Sequence, residues 1–286
     1  MGFLAQPFGV VMKFLFENLA FGNYGLAIIL FTLFVRILLF PLTLKQQKSM
    51  AMTQALQPEL DALRRNCGDD RDMLMQEQQK LYAKYNVNPM SGCLPMLIQF
   101  PILLVVYNII REPLTYIAEF SSEVITGLKE LAGLAGNVSE LQINSFFLHG
   151  GNITGEISAR LAELGVQSSE FVNMTFLKFF DLGVAPWQCI SEKNWSYAPL
   201  LLIPLLTLLT QYMMQWITSP TRKKDKKNDD PSARSMNMMM KFMPLMTFFI
   251  AFTTPAGLGF YWTVGNILSM GQTVLINKVF IKKKEG

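Results

Sequence analysis

Long apolar stretches alternate with strongly polar segments along the chain, and this pattern predicts a helical membrane protein. Each apolar stretch is long enough, or nearly so, to form a membrane-spanning helix. The predicted spans cover residues 24–44, 94–112, 197–218, 241–254 and 258–277. Only Pro255-Ala256-Gly257 separates the last two, and this turn signal predicts a helical hairpin.

Residues 1–20 show a different pattern, in which apolar side chains recur every three or four positions. This spacing predicts an amphipathic helix that lies in the membrane interface. Its apolar face consists of Leu4, Phe8, Val11, Leu15 and Leu19. The alternative is an uncleaved signal segment, but the stretch has no basic start and no clear small-residue cleavage site.

Segment 45–93 is too polar to enter a membrane and predicts a cytoplasmic helical hairpin. Asn66 to Asp69 forms the turn signal, with Asp69 or Asp70 as the N-cap of the second helix. Each helix carries a weak apolar stripe. The stripes are Met52, Leu56, Leu60 and Leu63 in the first helix, and Met73, Leu81 and Tyr85 in the second.

Charge is distributed unevenly between the polar segments. Basic residues are concentrated in segment 45–93, in the loop 219–240 and in the tail 278–286, whereas acidic residues outnumber basic ones in segment 113–196. Positively charged segments tend to stay in the cytoplasm. The first three are therefore predicted to be cytoplasmic and the fourth to be an external loop. An N-terminus outside and a C-terminus inside fit all the predicted spans.

Composition narrows the classes of function. Of the 286 residues, 51% are hydrophobic, and the net charge of +4 is modest. The single histidine, His149, lies in the predicted external loop, and the apolar cores of the spans contain no carboxylate. These absences disfavour an intramembrane protease and a proton-coupled transporter. No phosphate-binding glycine loop and no cysteine framework is present. The chain is therefore predicted not to be an enzyme and to use no cofactor or metal.

Arg36 is the one charged residue inside the first predicted span. It lies eight residues before Leu44, about 12 Å along a helix. A cation at mid-membrane costs roughly 2.5–3.5 kcal/mol on insertion scales. Since no acidic partner is available in the spans, Arg36 predicts a water-filled groove within the membrane. The alternative is a structural arginine that is hydrogen-bonded to backbone carbonyls.

Several longer motifs point to a family. They are Val35 to Met50, Leu56-Gln-Pro-Glu-Leu60, Tyr85 to Ile102, Thr254-Pro-Ala-Gly-Leu-Gly-Phe-Tyr-Trp262, and Asn266. With these motifs the chain resembles the YidC-type membrane insertase family, in its compact, Gram-positive-like form. The resemblance covers nearly the whole chain except segment 113–196. It implies an all-α, five-helix transmembrane bundle, N-out and C-in. It also implies a groove open to the cytoplasm and the lipid, guarded by a helical hairpin.

The resemblance also implies which residues line the groove. Arg36 matches the family's groove arginine, and Gln211 and Trp262 resemble other groove positions; Gln99 and Asn266 are weaker candidates. Each has an alternative role. Gln211, Gln99 and Asn266 can instead hydrogen-bond between helices, and Trp262 can anchor the helix at the membrane interface.

The function implied is that of an insertase and chaperone in the bacterial inner, or plasma, membrane. It would hydrate and translocate short hydrophilic segments of nascent membrane proteins, so the expected partners are those proteins and the lipid bilayer. The Sec translocon and the ribosome are candidate partners, and DNA is not. A methionine cluster at 236–240 offers a flexible surface for varied apolar helices. The alternative function is a small-solute or ion transporter that uses the same groove.

Overall fold

The computed structural model describes residues 2–68, 70–87, 94–134, 136, 138–150, 155–218 and 231–281. Within these ranges the chain is mostly helical. The helices of the first half are α1 (Gly2–Phe14), α2 (Tyr24–Leu38), α3 (Phe40–Ala55), α4 (Gln57–Cys67), α5 (Arg71–Lys84) and α6 (Leu94–Arg111). Next come the short helices α7 (Pro113–Tyr116), α8 (Ser122–Leu131), α9 (Glu140–Ser145), α10 (Gly155–Glu163) and α11 (Gln188–Ser191). The long helices α12 (Leu202–Thr218), α13 (Pro231–Thr253) and α14 (Ala256–Ile276) complete the chain.

Smaller elements join or extend these helices. Strands β1 (Thr175–Phe176) and β2 (Phe180–Asp181) form an antiparallel pair in which Phe176 is opposite Phe180. Wide helical turns extend α1 through Leu15–Leu19, α9 through Phe146–Gly150 and α14 through Asn277–Ile281. Tighter 3₁₀ turns occur at Ser168–Glu170 and at Trp195–Leu201, where the second leads directly into α12.

The helices differ in whether their length and apolar character suffice to cross a bilayer. In the described part of the chain, Trp195–Thr218 suffices, and α2 and α3 together would count as a second crossing. Gln99–Arg111 and Phe242–Thr253 are apolar but shorter. Helix α14 has 21 residues, but Thr, Ser, Asn, Gln and Gly make it less apolar. Length and hydropathy of the helices thus identify one or two of the five predicted spans.

The first predicted span, 24–44, is not one straight helix. Helix α2 ends at Leu38, and α3 starts at Phe40 after a bend of 63°. Pro41, in the first turn of α3, has no N–H to donate to the preceding turn, so a continuous helix would lose a hydrogen bond there. The Leu39 N–H still donates to the Val35 carbonyl at 3.0 Å. After the bend, α3 contacts α6 and α14, so its polar residues lie beside the bundle.

Helix α14 occupies the centre and packs against α2, α6, α12 and α13. Small residues permit this close packing. A Cβ on Gly259 would lie 2.9 Å from Ile203 Cγ2 and 3.1 Å from Ala251 Cβ. The main core surrounds this helix and includes the buried side chains of Tyr24, Phe31, Ile110 and Tyr261.

Helix α1 lies against the bundle. Its buried face includes Met12 and Leu15, and Phe8 contacts Phe31 edge-to-face with ring centroids 6.0 Å apart. Val10 and Phe14 are exposed on the other side. Of the predicted apolar stripe, Phe8, Val11 and Leu15 pack on the bundle and Leu19 is half exposed, whereas the side chain of Leu4 lies outside the described residues.

Segment 113–196 is predicted as an external loop, but the described residues of 113–194 form a folded unit that we call the cap. It has its own core, in which Phe147 stacks on Phe171 with centroids 4.8 Å apart. The cap is joined to the bundle through the backbone. Gly257 N–H donates to the Leu182 carbonyl at 2.8 Å, and Trp187 N–H donates to the Phe252 carbonyl at 3.0 Å. The cap thus covers the end of the bundle where α13 meets α14.

Helices α4 and α5 form a hairpin within the predicted segment 45–93, but residues 45–55 of that segment belong to α3. The Asp70 side chain accepts from Met73 N–H at 3.0 Å, which confirms one of the two predicted N-caps; Asp69 lies outside the described residues. Leu60 and Leu81 are buried in the hairpin, whereas Met73 is half exposed. The Tyr85 hydroxyl donates to Glu59 Oε1 at 2.9 Å, and this hydrogen bond raises the pKa of Tyr85.

Candidate functional site

A polar cavity of about 310 Å³ lies where the bent α2–α3 pair faces α6, α12 and α14. We call it the polar cavity. Helix α3 lines it with Thr43, Gln46, Gln47, Met50, Ala51 and Gln54; α14 and the turn after it contribute Ser269, Gln272, Thr273 and Asn277. Met214, Ile217 and Thr218 of α12 form a more apolar wall. Amide and hydroxyl groups on two helices therefore face an apolar surface on a third.

Arg36 contributes the only charge among the cavity-lining residues that the structure describes. It lies in the last turn of α2 and approaches α14 at Gly265, where a Cβ would be 3.3 Å from Arg36 Nη2. The described hydrogen bonds and ion pairs include none from its guanidinium group. Within the described part of the chain, the cation therefore lies at the cavity without a carboxylate partner.

Gln99 of α6 also lines the polar cavity. Its Nε2 donates to the Tyr261 hydroxyl at 3.3 Å. Tyr261 is only 3% exposed, so this hydrogen bond links the cavity wall to the core of the bundle. Arg36 and Gln99, on different helices, are thus brought to the same cavity.

The other three predicted groove residues do not line the polar cavity. Asn266 is buried and donates from Nδ2 to Thr210 Oγ1 at 3.1 Å, a hydrogen bond between α14 and α12. Trp262 is half-buried on α14. Gln211 is half-buried on α12, and its Oε1 is buried without a hydrogen-bond partner. For Asn266, the geometry matches the helix-packing alternative.

Thr207 belongs to the same packing contact. Its Oγ1 lies 2.9 Å from Thr263 Oγ1 and donates either to Ile203 O or to Gly259 O, at 2.8 and 3.1 Å. These contacts join α12 to α14 away from the cavity. They explain why Thr207 and Thr263 occur in these helices without lining the cavity.

Sequence reasoning missed the residues of α3. Gln46 is 6% exposed, and its Nε2 has no hydrogen-bond partner. Gln47 Nε2 donates to Thr273 Oγ1 at 2.9 Å, and Gln54 Nε2 donates to the Thr218 carbonyl at 3.2 Å. The recurrence of Thr43, Gln47 and Gln54 on one helical face is a usable signal. The prediction that all of segment 45–93 forms a cytoplasmic hairpin leaves no place for these residues in a cavity within the bundle.

An apolar layer separates the polar cavity from the cap. Along α2, Arg36 is followed toward the cap by the buried Phe31 and Ile28; along α6, Gln99 is followed by the buried Val106 and Ile110. A second cavity of about 860 Å³ lies beyond this layer, under the cap, and is lined in part by Arg111 and Tyr197. The two cavities share no lining residue.

Other predicted features are only partly described. Met238 is half exposed on α13, but the side chains of Met236, Met239 and Met240 lie outside the described part of the chain. The basic runs 222–227 and 282–284 also lie outside it. Among the described residues, no group of His, Cys, Asp and Glu could hold a metal ion.

Comparison with known proteins gives concordant matches. The model of the family described as "60Kd inner membrane protein" matches residues 15–284. The inner membrane ALBINO3-like protein 2, chloroplastic, of Chlamydomonas reinhardtii is 31% identical over 96% of this chain and 55% of its own length. Two proteins named membrane protein insertase YidC are similar. That of Oleidesulfovibrio alaskensis is 31% identical over 94% of this chain and 37% of its own length. That of Oceanobacillus iheyensis is 30% identical over 92% of this chain and 77% of its own length.

A solved structure supports the fold. It is described as an active YidC insertase with the first transmembrane domain resolved, and it aligns with 94% of this chain at a TM-score of 0.51 and 22% identity. The alignment covers 45% of that chain. The present chain thus spans about half or less of several relatives and about three quarters of the Oceanobacillus protein. The family match, the relatives and the motifs agree: the chain belongs to the 60Kd inner membrane protein family, the YidC-type family of the bacterial inner membrane.

Proposed function

We propose that this chain is a membrane protein insertase and chaperone, which admits short hydrophilic segments of nascent membrane proteins into the polar cavity. The observation that carries the proposal is Arg36, which has no ion-pair partner among the described residues and lies in a cavity that they otherwise line with neutral amide, hydroxyl and apolar groups. The names of the relatives support the same activity.

The proposed mechanism is a lowered barrier. A polar segment that leaves water must lose hydrogen bonds, and the cavity replaces some of them partway across the membrane. Arg36 attracts acidic segments because a charge is weakly screened where the surroundings are apolar. Partition of the substrate's own apolar helix into lipid then drives insertion, so the step needs no nucleotide.

The proposed orientation is N-out and C-in, with the polar cavity open toward the cytoplasm and the lipid and the cap outside. The basic segments 219–240 and 278–286 support this orientation, since they would lie on the cytoplasmic side. The substrates and the lipid bilayer are the proposed partners. The basic segments also offer surfaces for anionic lipid or the ribosome, and the Sec translocon is a further candidate.

The apolar layer of Phe31, Val106 and Ile110 favours this function over a small-solute or ion transporter. A transporter needs a polar path that reaches both sides, whereas buried apolar side chains separate the two cavities here. A hydrophilic segment would therefore enter partway and continue outward along the lipid-facing side of the cavity.

Reconstitution tests the proposal. The full chain is placed in liposomes with a single-span substrate that carries an acidic tail, and protease protection reports insertion. We expect the wild-type chain to protect the tail, Arg36→Lys to retain most of this activity, and Arg36→Ala to lose about tenfold. Equal insertion by empty liposomes and by liposomes with the wild-type chain would refute the proposal.

A further inference from the structure

Three glutamines at the polar cavity have buried amide atoms without partners. They are Gln46 Nε2, Gln47 Oε1 and Gln272 Nε2. Buried polar atoms are nearly always hydrogen-bonded in proteins, because an unpaired one costs stability. Gln46 is 6% exposed, so solvent outside the cavity does not satisfy it. These atoms therefore need a hydrogen-bond partner inside the cavity, which is water when the cavity is empty and a polar ligand when one is bound.

The glutamines come from two facing helices. Gln46 and Gln47 lie on α3, and Gln272 lies on α14 beside Thr273. The hydrogen bond from Gln47 Nε2 to Thr273 Oγ1, at 2.9 Å, joins the two helices and leaves Gln47 Oε1 free. The unpaired atoms are thus part of one cluster across the cavity.

The chemistry of the cluster suits the peptide group. It offers two amide nitrogens as donors and one amide oxygen as an acceptor. If a side-chain amide rotates by half a turn, its nitrogen and oxygen exchange places, so a donor can be replaced by an acceptor. Every residue of a polypeptide except proline presents one main-chain N–H and one C=O. The cluster carries no charge, so it offers a small ion no charge-assisted hydrogen bond. An extended main chain, by contrast, can accept hydrogen bonds from the donors of the cluster and donate one to its acceptor.

We infer that Gln46, Gln47 and Gln272 bind the main chain of the translocating segment. This inference rests on the proposed function and deepens it. The cavity then has two modes of recognition: Arg36 attracts acidic side chains, and the glutamine cluster binds the peptide group of any sequence. Recognition of the main chain accounts for a site that accepts segments of different sequence.

The first test removes the two unpaired donors with Gln46→Met and Gln272→Met combined. Methionine keeps the length of the side chain and cannot donate a hydrogen bond. In liposomes, insertion of a substrate with a neutral Gly-Ser tail should fall about three- to tenfold. An acidic tail of equal length should lose the same factor, whereas Arg36→Ala should affect only the acidic tail. Gln79→Met, on an exposed position of α5, is the matched control and should insert like wild type.

Thermal stability separates recognition from structure. The removed donors have no partner among the described residues, so the double variant should melt at the wild-type temperature or above. Unchanged insertion would overturn the inference, and so would a loss of insertion that is matched by a lower melting temperature. If the wild-type chain inserts neither tail, the proposed function itself fails.

A second test addresses the acceptor, Gln47 Oε1. A tail of N-methylglycine has main-chain carbonyls but no N–H groups to donate. We expect Gln47→Met to reduce insertion of a glycine tail about threefold, and to leave insertion of the N-methylglycine tail nearly unchanged. Equal reductions for both tails would contradict main-chain recognition by this residue.

Discussion

Gly265 on α14 leaves the space that Arg36 occupies: a Cβ at position 265 would lie 3.3 Å from Arg36 Nη2. At that distance an added methyl group would force the guanidinium to move by a few tenths of an ångström. A branched side chain would force a larger displacement. The guanidinium of Arg36 therefore occupies its place because Gly265 has no side chain.

Gly265→Val tests this relationship. We expect it to displace Arg36 and to lower insertion of acidic-tailed substrates about tenfold, equivalent to about 1.4 kcal/mol. Gly271→Val is the matched control, because nothing lies within 4 Å of a Cβ there. Equal insertion by the two variants would show that the contact with Gly265 does not position Arg36.

Thr207 is expected to stabilise the α12–α14 contact without a role in substrate binding. Thr207→Val removes the hydrogen bonds to Gly259 and Thr263 and should lower the free energy of unfolding by about 1–3 kcal/mol. Thermal unfolding in detergent measures this. Thr253→Val is the control, because the Thr253 hydroxyl is exposed and bonds only within its own helix. A loss of insertion at unchanged stability would instead place Thr207 at the substrate.

The hairpin of α4 and α5 is expected to move independently of the bundle. Most of its side chains are exposed, and its buried Leu60 and Leu81 lie within the hairpin. Segments with few buried contacts open locally at low free-energy cost. Hydrogen exchange should therefore be faster in α5 than in α14, and Leu60→Ala should accelerate it further in α4 and α5 but not in α14. Protection of α5 equal to that of α14 would rule out a mobile hairpin.

Local sequence patterns were sufficient to predict some features of the fold and of the cavity. The cost of an unpaired cation in an apolar helix led to Arg36 and to a polar cavity around it. Local hydrogen-bonding chemistry led to Asp70 as a helix cap. Gln99, a weaker candidate because polar residues within spans more often pair helices, lines the same cavity. These predictions depend on local energetics or on long motifs, which a single sequence contains.

Other features depend on contacts between distant segments. Pro41 was visible in the sequence, but the bend of 63° that it accompanies determines where Gln46 and Gln47 lie. The sequence also shows that Asn266 is a polar residue in a predicted span. Its hydrogen-bond partner, Thr210, is determined by the packing of α14 on α12 and cannot be read from the sequence. The cap was predicted as a loop because its core is assembled from short, weakly patterned segments. Each of these features depends on tertiary packing, and the periodicity of apolar residues along the chain contains no information about it.

One-sided access of water to the polar cavity is the central claim, and cysteine labelling measures it most directly. In a variant that lacks Cys67, Cys93 and Cys189, single cysteines replace Thr43 in the cavity and Thr32 in the buried part of α2. A membrane-impermeant thiol reagent is then added to either side. Labelling of position 43 from the cytoplasmic side only, with no labelling of position 32, is the predicted result. Labelling of position 43 from the outside would contradict the account and favour a through-channel.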